Sequence, residues 1–198
     1  MIEMMDQGIG EVLRALDRLG LAKNTVVIFT SDHGDMFGDH GLMLKATMHY
    51  QGCLRLPLLI ARPGEAGLRT QSLASSMDLA QTFLHLAGAK PFVYMQGKSL
   101  VPVLNDPHRS VRDHCLVEEE FPLALIGSPL PLHTRTIYTD RYRYSQYSSG
   151  DVELYDLVND PDEGRNLAIE SDYRNQRLEV SERLSAAMMS TAQMGVSA

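Results

Sequence analysis

The residues best suited to chemistry lie in one short segment, 31–41, in which glycines separate carboxylate and imidazole side chains. Asp32 and His33 are adjacent, and the segment also contains Asp35, Asp39 and His40. A carboxylate beside an imidazole can bind a hard or borderline metal ion, and glycine lets the backbone fold closely around it. The alternative is an ordinary turn in which an aspartate caps the backbone and a glycine takes positive φ.

A lysine follows this segment at a distance that could bring it back to the same place. Lys45 comes thirteen positions after Asp32, and no other lysine lies between Lys23 and Lys90. An ammonium group beside a metal would be a point charge for an oxygen of an anionic substrate. His49 lies close behind and either lines the same pocket or packs in the loop.

The elements before and after the segment indicate an α/β core. Apolar residues at three- and four-residue steps predict a helix from Ile2 to near Gly20. The β-branched and aromatic run 25–30 is typical of a central strand buried on both faces of a parallel sheet, and 56–61 predicts a second core strand. In open sheets of this kind ligands bind beyond the carboxyl ends of strands, which is where Asp32 stands.

The remaining sequence predicts further helices and a second sheet. Segment 72–75 is a candidate third strand, and Asp78 is placed to cap a helix that ends at Gly88. A proline-rich connection follows from Lys90 to Pro131, with a possible strand at 115–117. Three short aromatic segments between 135 and 155 predict an antiparallel meander. The pattern of residues 172–189 predicts a helix with one polar face. We therefore place a boundary near residue 110, with 1–110 as the core and 111–198 as a C-terminal subdomain.

Composition excludes some classes of partner. The 198 residues carry a formal net charge of −7 with scattered bases, so no nucleic-acid surface is expected. No apolar stretch approaches the ~20 residues of a membrane span. Cys53 and Cys115 stand in unrelated contexts, which favours reduced thiols and a cytoplasmic location over a disulfide framework.

Several segments, in the same order and with similar spacing, resemble the sulfatase family of the alkaline phosphatase superfamily. The resemblance begins with Asn24 to Asp35, continues through Gly38 to Gly41 and Lys45, and includes Arg55 to Leu58. Two later stretches agree with it: 77–88, and 153–168 with its Asn159-Asp160-Pro161 turn. It implies an alkaline-phosphatase-like layered α/β sheet with flanking helices, followed by a small C-terminal antiparallel sheet and helix.

The resemblance also implies roles for individual residues. Asp32 and His33 match the ligands of a divalent cation, usually calcium, with manganese or magnesium in related phosphonate and phosphodiester hydrolases. Lys45 matches the lysine that holds the sulfate and leaving-group oxygens and is the predicted catalytic and substrate-binding residue. His49 is a second candidate for substrate binding.

The nucleophile that this family needs has no match. It is a formylglycine made from Cys or Ser in a Cys-x-Pro-x-Arg type of motif, and neither Cys53 nor Cys115 stands in such a motif. We therefore expect the C-terminal portion of a sulfuric ester hydrolase, acting on a small anionic sulfate ester and inactive alone. A phosphonate or phosphate ester hydrolase, and a non-catalytic remnant that acts by association, remain alternatives. The partner would be a complementing N-terminal half or a second copy.

Overall fold

A computed structural model describes residues 1–45, 48–121 and 132–192 of the chain. The chain divides into two compact units. The first comprises Met1–Asp32 and Leu56–Arg69, and the second comprises His33–Arg55 and Thr70–Ala198. The predicted boundary near residue 110 is a different division of the sequence and stays a prediction.

The first unit contains one long helix and a two-stranded sheet. Helix α1 spans Ile2–Arg18, and Gly20 follows it with a φ of 71°. Strand β1, Val27–Thr30, pairs with β2, Leu58–Ala61. The helix ends where the sequence predicts, since its apolar periodicity stops there and glycine accepts the positive φ without steric cost.

The pairing of β1 differs from the prediction of a parallel sheet. The strand runs antiparallel to β2, with Val27 opposite Ala61 and Thr30 opposite Leu58. Both strands are also more exposed than predicted, and Leu59 keeps 59% of its surface accessible. A β-branched run predicts a strand, but its direction and burial depend on the segments that pack beside it. Among the described residues, β2 is the only strand beside β1.

The second unit is built around a four-stranded antiparallel sheet. Its strands β3, β4, β5 and β6 are neighbours in sequence order, which confirms the predicted meander. They are Cys115–Phe121, Leu132–Tyr138, Tyr142–Tyr147 and Val152–Asp156. Its helices α2, α3, α4 and α5 are Gln51–Leu54, Asp78–Leu86, Val101–Asn105 and Arg174–Ala192. Segment 72–75, a candidate strand, is irregular. Part of the predicted proline-rich connection, 122–131, lies outside the described residues.

The core of the second unit lies between the sheet and α5. It includes Ile137 of β4, Tyr144 of β5 and Leu154 of β6, which pack with Val180 and Leu184 of α5. Spacing of three or four residues places the buried side chains of α5 on one face, as predicted for this helix. This apolar layer covers one face of the sheet. The polar residues on the opposite face can therefore be held in fixed positions.

Helix α3 begins at a buried aspartate, Asp78. The prediction that Asp78 caps this helix is wrong, because Met77 is the N-cap and no side chain among the described residues makes a capping hydrogen bond. The carboxylate of Asp78 accepts hydrogen bonds from the backbone amides of Ser75 and Lys98, at 2.8 and 2.7 Å, and forms an ion pair with Arg112. A fully buried carboxylate needs such partners because its desolvation is costly. Asp78 therefore ties the start of α3 to two later segments.

No helix in the described parts of the chain is long and apolar enough to cross a membrane.

Candidate active site

The segment that begins at His33 packs tightly against α2. The amide of Gly34 donates a hydrogen bond to the carbonyl oxygen of Cys53 at 2.8 Å. A Cβ atom added to Gly34 would lie 2.0 Å from the carbonyl oxygen of Gly52, so no other residue fits without moving the backbone. The glycine of the Asp-His-Gly sequence is thus required by close approach to α2.

The loop after Gly34 is unusually bent. Four residues within five positions have positive φ, including two that are not glycine: Phe37 at 46° and His40 at 53°. Non-glycine residues in this region store conformational strain, which clusters at functional sites. The loop is closed by the amide of Gly38, which donates to the carbonyl of Leu42 at 2.7 Å. The alternative prediction of a turn with positive φ at the glycine of Asp-His-Gly is wrong for Gly34, because the positive φ values occur later, between Phe37 and Gly41.

Lys45 is held at the far end of this loop and contacts His33. Its backbone amide donates to the Asp35 carboxylate at 2.8 Å, and its Nζ lies 2.8 Å from Nε2 of His33. The other ring nitrogen, Nδ1, lies 2.9 Å from the carbonyl oxygen of Gly34. A carbonyl only accepts, so the hydrogen-bond pattern assigns the proton of the imidazole to Nδ1 and leaves Nε2 to accept from the ammonium. Two of the three main predicted site residues are therefore in contact.

Asp32 is the last residue of the first unit, whereas His33 belongs to the second. The Asp32 side chain is exposed, and Ser31 Oγ donates to its Oδ1 at 3.4 Å. The described residues contain no group of three or more His, Cys, Asp or Glu side chains that could hold a metal ion. The chemistry of Asp32 and His33 fits a divalent cation, but two protein ligands are fewer than a stable site needs. Their assignment as ligands stays a prediction.

His49 occupies a different environment from Lys45. It is buried, its Nδ1 contacts Thr136 Oγ1 at 2.8 Å, and its Nε2 contacts a carboxylate oxygen of Glu119 at 3.0 Å. Burial lowers the pKa of His49, and the hydrogen bond with Glu119 opposes that shift. Both ring nitrogens are used within the protein, so the geometry favours a structural role. Substrate binding by His49 stays a prediction.

Sequence reasoning missed a buried polar network on the C-terminal sheet. Arg143 of β5 is completely buried and pairs with two glutamates, Glu153 and Glu163. The turn at Asn159-Asp160-Pro161, just before Glu163, was predicted, but the contact of Glu163 with the segment near residue 50 was not. Strand alternation places Arg143 on the face opposite to Tyr142 and Tyr144, which pack in the core with α5, so the sequence pattern alone did not indicate that Arg143 is buried.

Comparisons with known proteins agree with this fold. A family model described as Sulfatase matches residues 1–89. Arylsulfatase K of Rattus norvegicus is 34% identical over 172 residues, which is 83% of this chain and 30% of that protein. The chain thus spans less than a third of the length of this curated relative.

Solved structures extend the similarity to nearly the whole chain. The structure of a 2-O GAG sulfatase superposes with a TM-score of 0.84 at 26% identity, covering 96% of this chain and 41% of that one. The phosphonate monoester hydrolase of Agrobacterium radiobacter superposes with a TM-score of 0.85 at 30% identity, and the match covers 96% of this chain and 40% of that one. The fold is therefore an α/β fold of the alkaline phosphatase type. The chain belongs to the sulfatase family of that superfamily, and it covers less than half the length of these relatives.

Proposed function

We propose that this chain carries part of the active site of a sulfuric ester hydrolase. The observation that supports the proposal most directly is the contact between Lys45 Nζ and His33 Nε2, at 2.8 Å, at the end of a strained loop. An exposed ammonium held beside a neutral imidazole can move toward an anionic oxygen when a substrate enters. The proposed substrate is a small sulfate ester, and Lys45 binds its sulfuryl and leaving-group oxygens.

Asp32 and His33 are the proposed protein ligands for a divalent cation in this site. Calcium is the proposed ion, with manganese or magnesium as alternatives, because a carboxylate and an imidazole suit hard and borderline cations. Since the described residues contain no group of three candidate ligands, the ion needs further ligands from outside them. The proposal therefore predicts weak metal binding by this chain alone.

The nucleophile is proposed to come from residues that are not among these 198. Neither cysteine lies in a Cys-x-Pro-x-Arg sequence, Cys53 is buried, and burial raises the pKa of Cys115. A thiol with a raised pKa is a poor nucleophile because little thiolate is present. A complementing N-terminal half is therefore the proposed partner, and the isolated chain should be inert toward sulfate esters.

A phosphonate or phosphate ester is the alternative substrate. The similarity to the phosphonate monoester hydrolase supports this alternative, since its identity of 30% exceeds the 26% of the GAG sulfatase at nearly the same TM-score. Sulfuryl and phosphoryl groups are both tetrahedral and anionic, so one lysine can serve either. Parallel assays with an aryl sulfate and a phenyl phosphonate would separate the two activities.

A non-catalytic role through association is the other alternative. Helix α1 exposes apolar side chains along its length: Ile2 is 82% exposed, Met5 61% and Val12 69%. Apolar surface of this kind favours association, either with a second copy or with another polypeptide. Sedimentation of the purified chain, alone and with the polypeptide encoded directly upstream, would identify the partner.

Substitution of Lys45 tests the proposed activity. In a complex reconstituted with a polypeptide that carries the nucleophile, Lys45→Ala should reduce kcat by about 10²–10³-fold, because a preorganised charge on the developing anion is lost. Metal binding, measured by calorimetry, should persist. Lys90→Ala, which removes an exposed lysine elsewhere, is the matched control. Unchanged turnover of an aryl sulfate by Lys45→Ala would exclude Lys45 from the site.

A further inference from the structure

The C-terminal sheet contains a fully buried arginine that is surrounded by partners. Arg143 lies against the rings of Tyr50 and Tyr155, with its guanidinium carbon 4.7 and 4.5 Å from their centroids. It also donates to Glu153 at 2.9 Å and pairs with Glu163. A guanidinium is held in a dry interior only when charges and rings compensate its lost hydration. Arg143 therefore fixes the position of Glu163.

Glu163 uses its second carboxylate oxygen to hold a distant segment. That oxygen accepts a hydrogen bond from the backbone amide of Gln51, the first residue of α2, at 2.6 Å. The Gln51 side chain adds a bond to the carbonyl of Pro161 at 2.8 Å. Glu163 is buried and has a φ of 54°, a conformation that costs energy for a residue other than glycine. The carboxylate contacts compensate for that conformation.

Helix α2 passes this constraint on to the loop that carries His33. Two residues after Gln51, the Cys53 carbonyl accepts the hydrogen bond of the Gly34 amide. The carbonyl of Gly34 in turn lies 2.9 Å from Nδ1 of His33, and the opposite ring nitrogen contacts Lys45. Each non-covalent step from α2 to Lys45 is a hydrogen bond, so we expect displacement of α2 to rotate the imidazole away from the lysine.

We propose that Glu163, held by Arg143, is a positioning residue that orients His33 toward Lys45 through α2. It touches no substrate and acts only through the Gln51 amide and the Gly34 backbone. Its relevance to catalysis rests on the function proposed above, whereas the coupling itself is a property of this chain. The pair therefore connects the C-terminal sheet to the candidate active site.

The coupling is measured without substrate by amide hydrogen exchange and by ¹⁵N NMR of the histidine rings. In Glu163→Ala the Gly34 amide should exchange about tenfold faster, since one hydrogen bond in its support is lost. The ¹⁵N shifts of His33 should also change, because they report the hydrogen bond at each ring nitrogen. Asp162→Ala, one residue away and exposed, is the matched control and should leave both signals unchanged.

A second variant keeps the buried ion pair intact. Gln51→Pro removes both links from Gln51 to this turn, the amide that Glu163 binds and the side-chain bond to the Pro161 carbonyl. Proline is tolerated at the first position of a helix because that N–H has no partner within the helix. Tyr50 has an extended backbone, ψ 155°, which suits a residue before proline. Gln51→Pro should reproduce both changes seen in Glu163→Ala.

The outcomes separate coupling from general loss of stability. Faster Gly34 exchange together with altered His33 shifts in Gln51→Pro supports the proposal, even if Glu163→Ala does not fold. Unchanged Gly34 exchange and unchanged His33 shifts in a folded Gln51→Pro would overturn it. Neither result depends on sulfatase activity, so a failed activity assay would affect the proposed function and leave the coupling test as it stands.

Discussion

The two units of this chain solve the problem of burial in different ways. All residues of the first unit are described, and none of them is buried. The second unit encloses an apolar core between a four-stranded sheet and α5, together with a network of buried charges. In both units, local sequence patterns give rise to regular helices and strands. Only in the second do those elements bury each other, and that unit holds the contacting pair His33 and Lys45.

The difference follows from how many neighbours each strand has. A two-stranded ribbon is marginally stable in water, whereas three or more strands backed by a helix can be stable by themselves. Strands β1 and β2 form a ribbon, while β4 and β5 each have a partner on both sides. We therefore expect the second unit to dominate the stability of the chain and the first to open more readily.

Amide hydrogen exchange should show the largest contrast. Amides of β1 and β2 should exchange orders of magnitude faster than those of β5, because local opening costs far less in a ribbon with no buried residue. Both sets are followed in one sample by NMR, so each serves as the control for the other. Comparable protection in β1 and β5 would mean that the first unit is as stable as the second.

A matched pair of leucine substitutions should show the next largest effect. Leu184 is 1% exposed in α5 and Leu13 is 41% exposed in α1. Leu184→Ala should lower the free energy of unfolding by about 2–5 kcal/mol, as expected for a core cavity. Leu13→Ala makes the same chemical change on a helix and should stay within about 0.5 kcal/mol. Urea unfolding measures both, and equal losses would contradict the comparison.

The pH dependence of stability should show the smallest effect. Burial lowers the pKa of His49 below its ordinary value of 6.5, so the unfolded chain takes up a proton before the folded one does. The free energy of unfolding should therefore fall as the pH drops below 6.5 and level off above it. Urea unfolding at about pH 7.5, 6.5 and 5.5 tests this slope.

His49→Gln should flatten the slope, since glutamine has no proton to gain in this range. The control is His108→Gln, which replaces an exposed histidine in the same unit and should leave the slope as it is. If both variants retain the slope, His49 is not its source, and the buried contact with Glu119 would hold a charged imidazole instead.

Much of the fold could be predicted because local patterns determine it. The stripe of α1, the meander of β4 to β6 and the polar face of α5 all follow from periodicity within single elements. The orientation of β1 could not be predicted in this way, because a β-branched run specifies a strand without specifying its partner. Its antiparallel pairing with β2 is set by contacts between segments about thirty residues apart.

The candidate site shows the same limit. The Asp-His-Gly sequence and Lys45 were recognisable because their residue types and spacing are informative within one segment. The roles of Arg143 and Glu163 depend on pairing across the fold, and no spacing in the sequence relates them to Gln51. His49 illustrates the converse, since proximity in sequence suggested a pocket residue and the fold buries it against Thr136.

The hydrogen bond between Glu163 and the Gln51 amide also bears on the order of events during synthesis. It closes a loop of 112 residues, one of the most distant contacts in the second unit. Contacts of such separation form late, because the entropy of closing the loop must be overcome first. On the ribosome, the loop around His33 and Lys45 would emerge long before its anchor exists. A nascent chain arrested before residue 163 should therefore present that loop unanchored to chaperones and modifying enzymes.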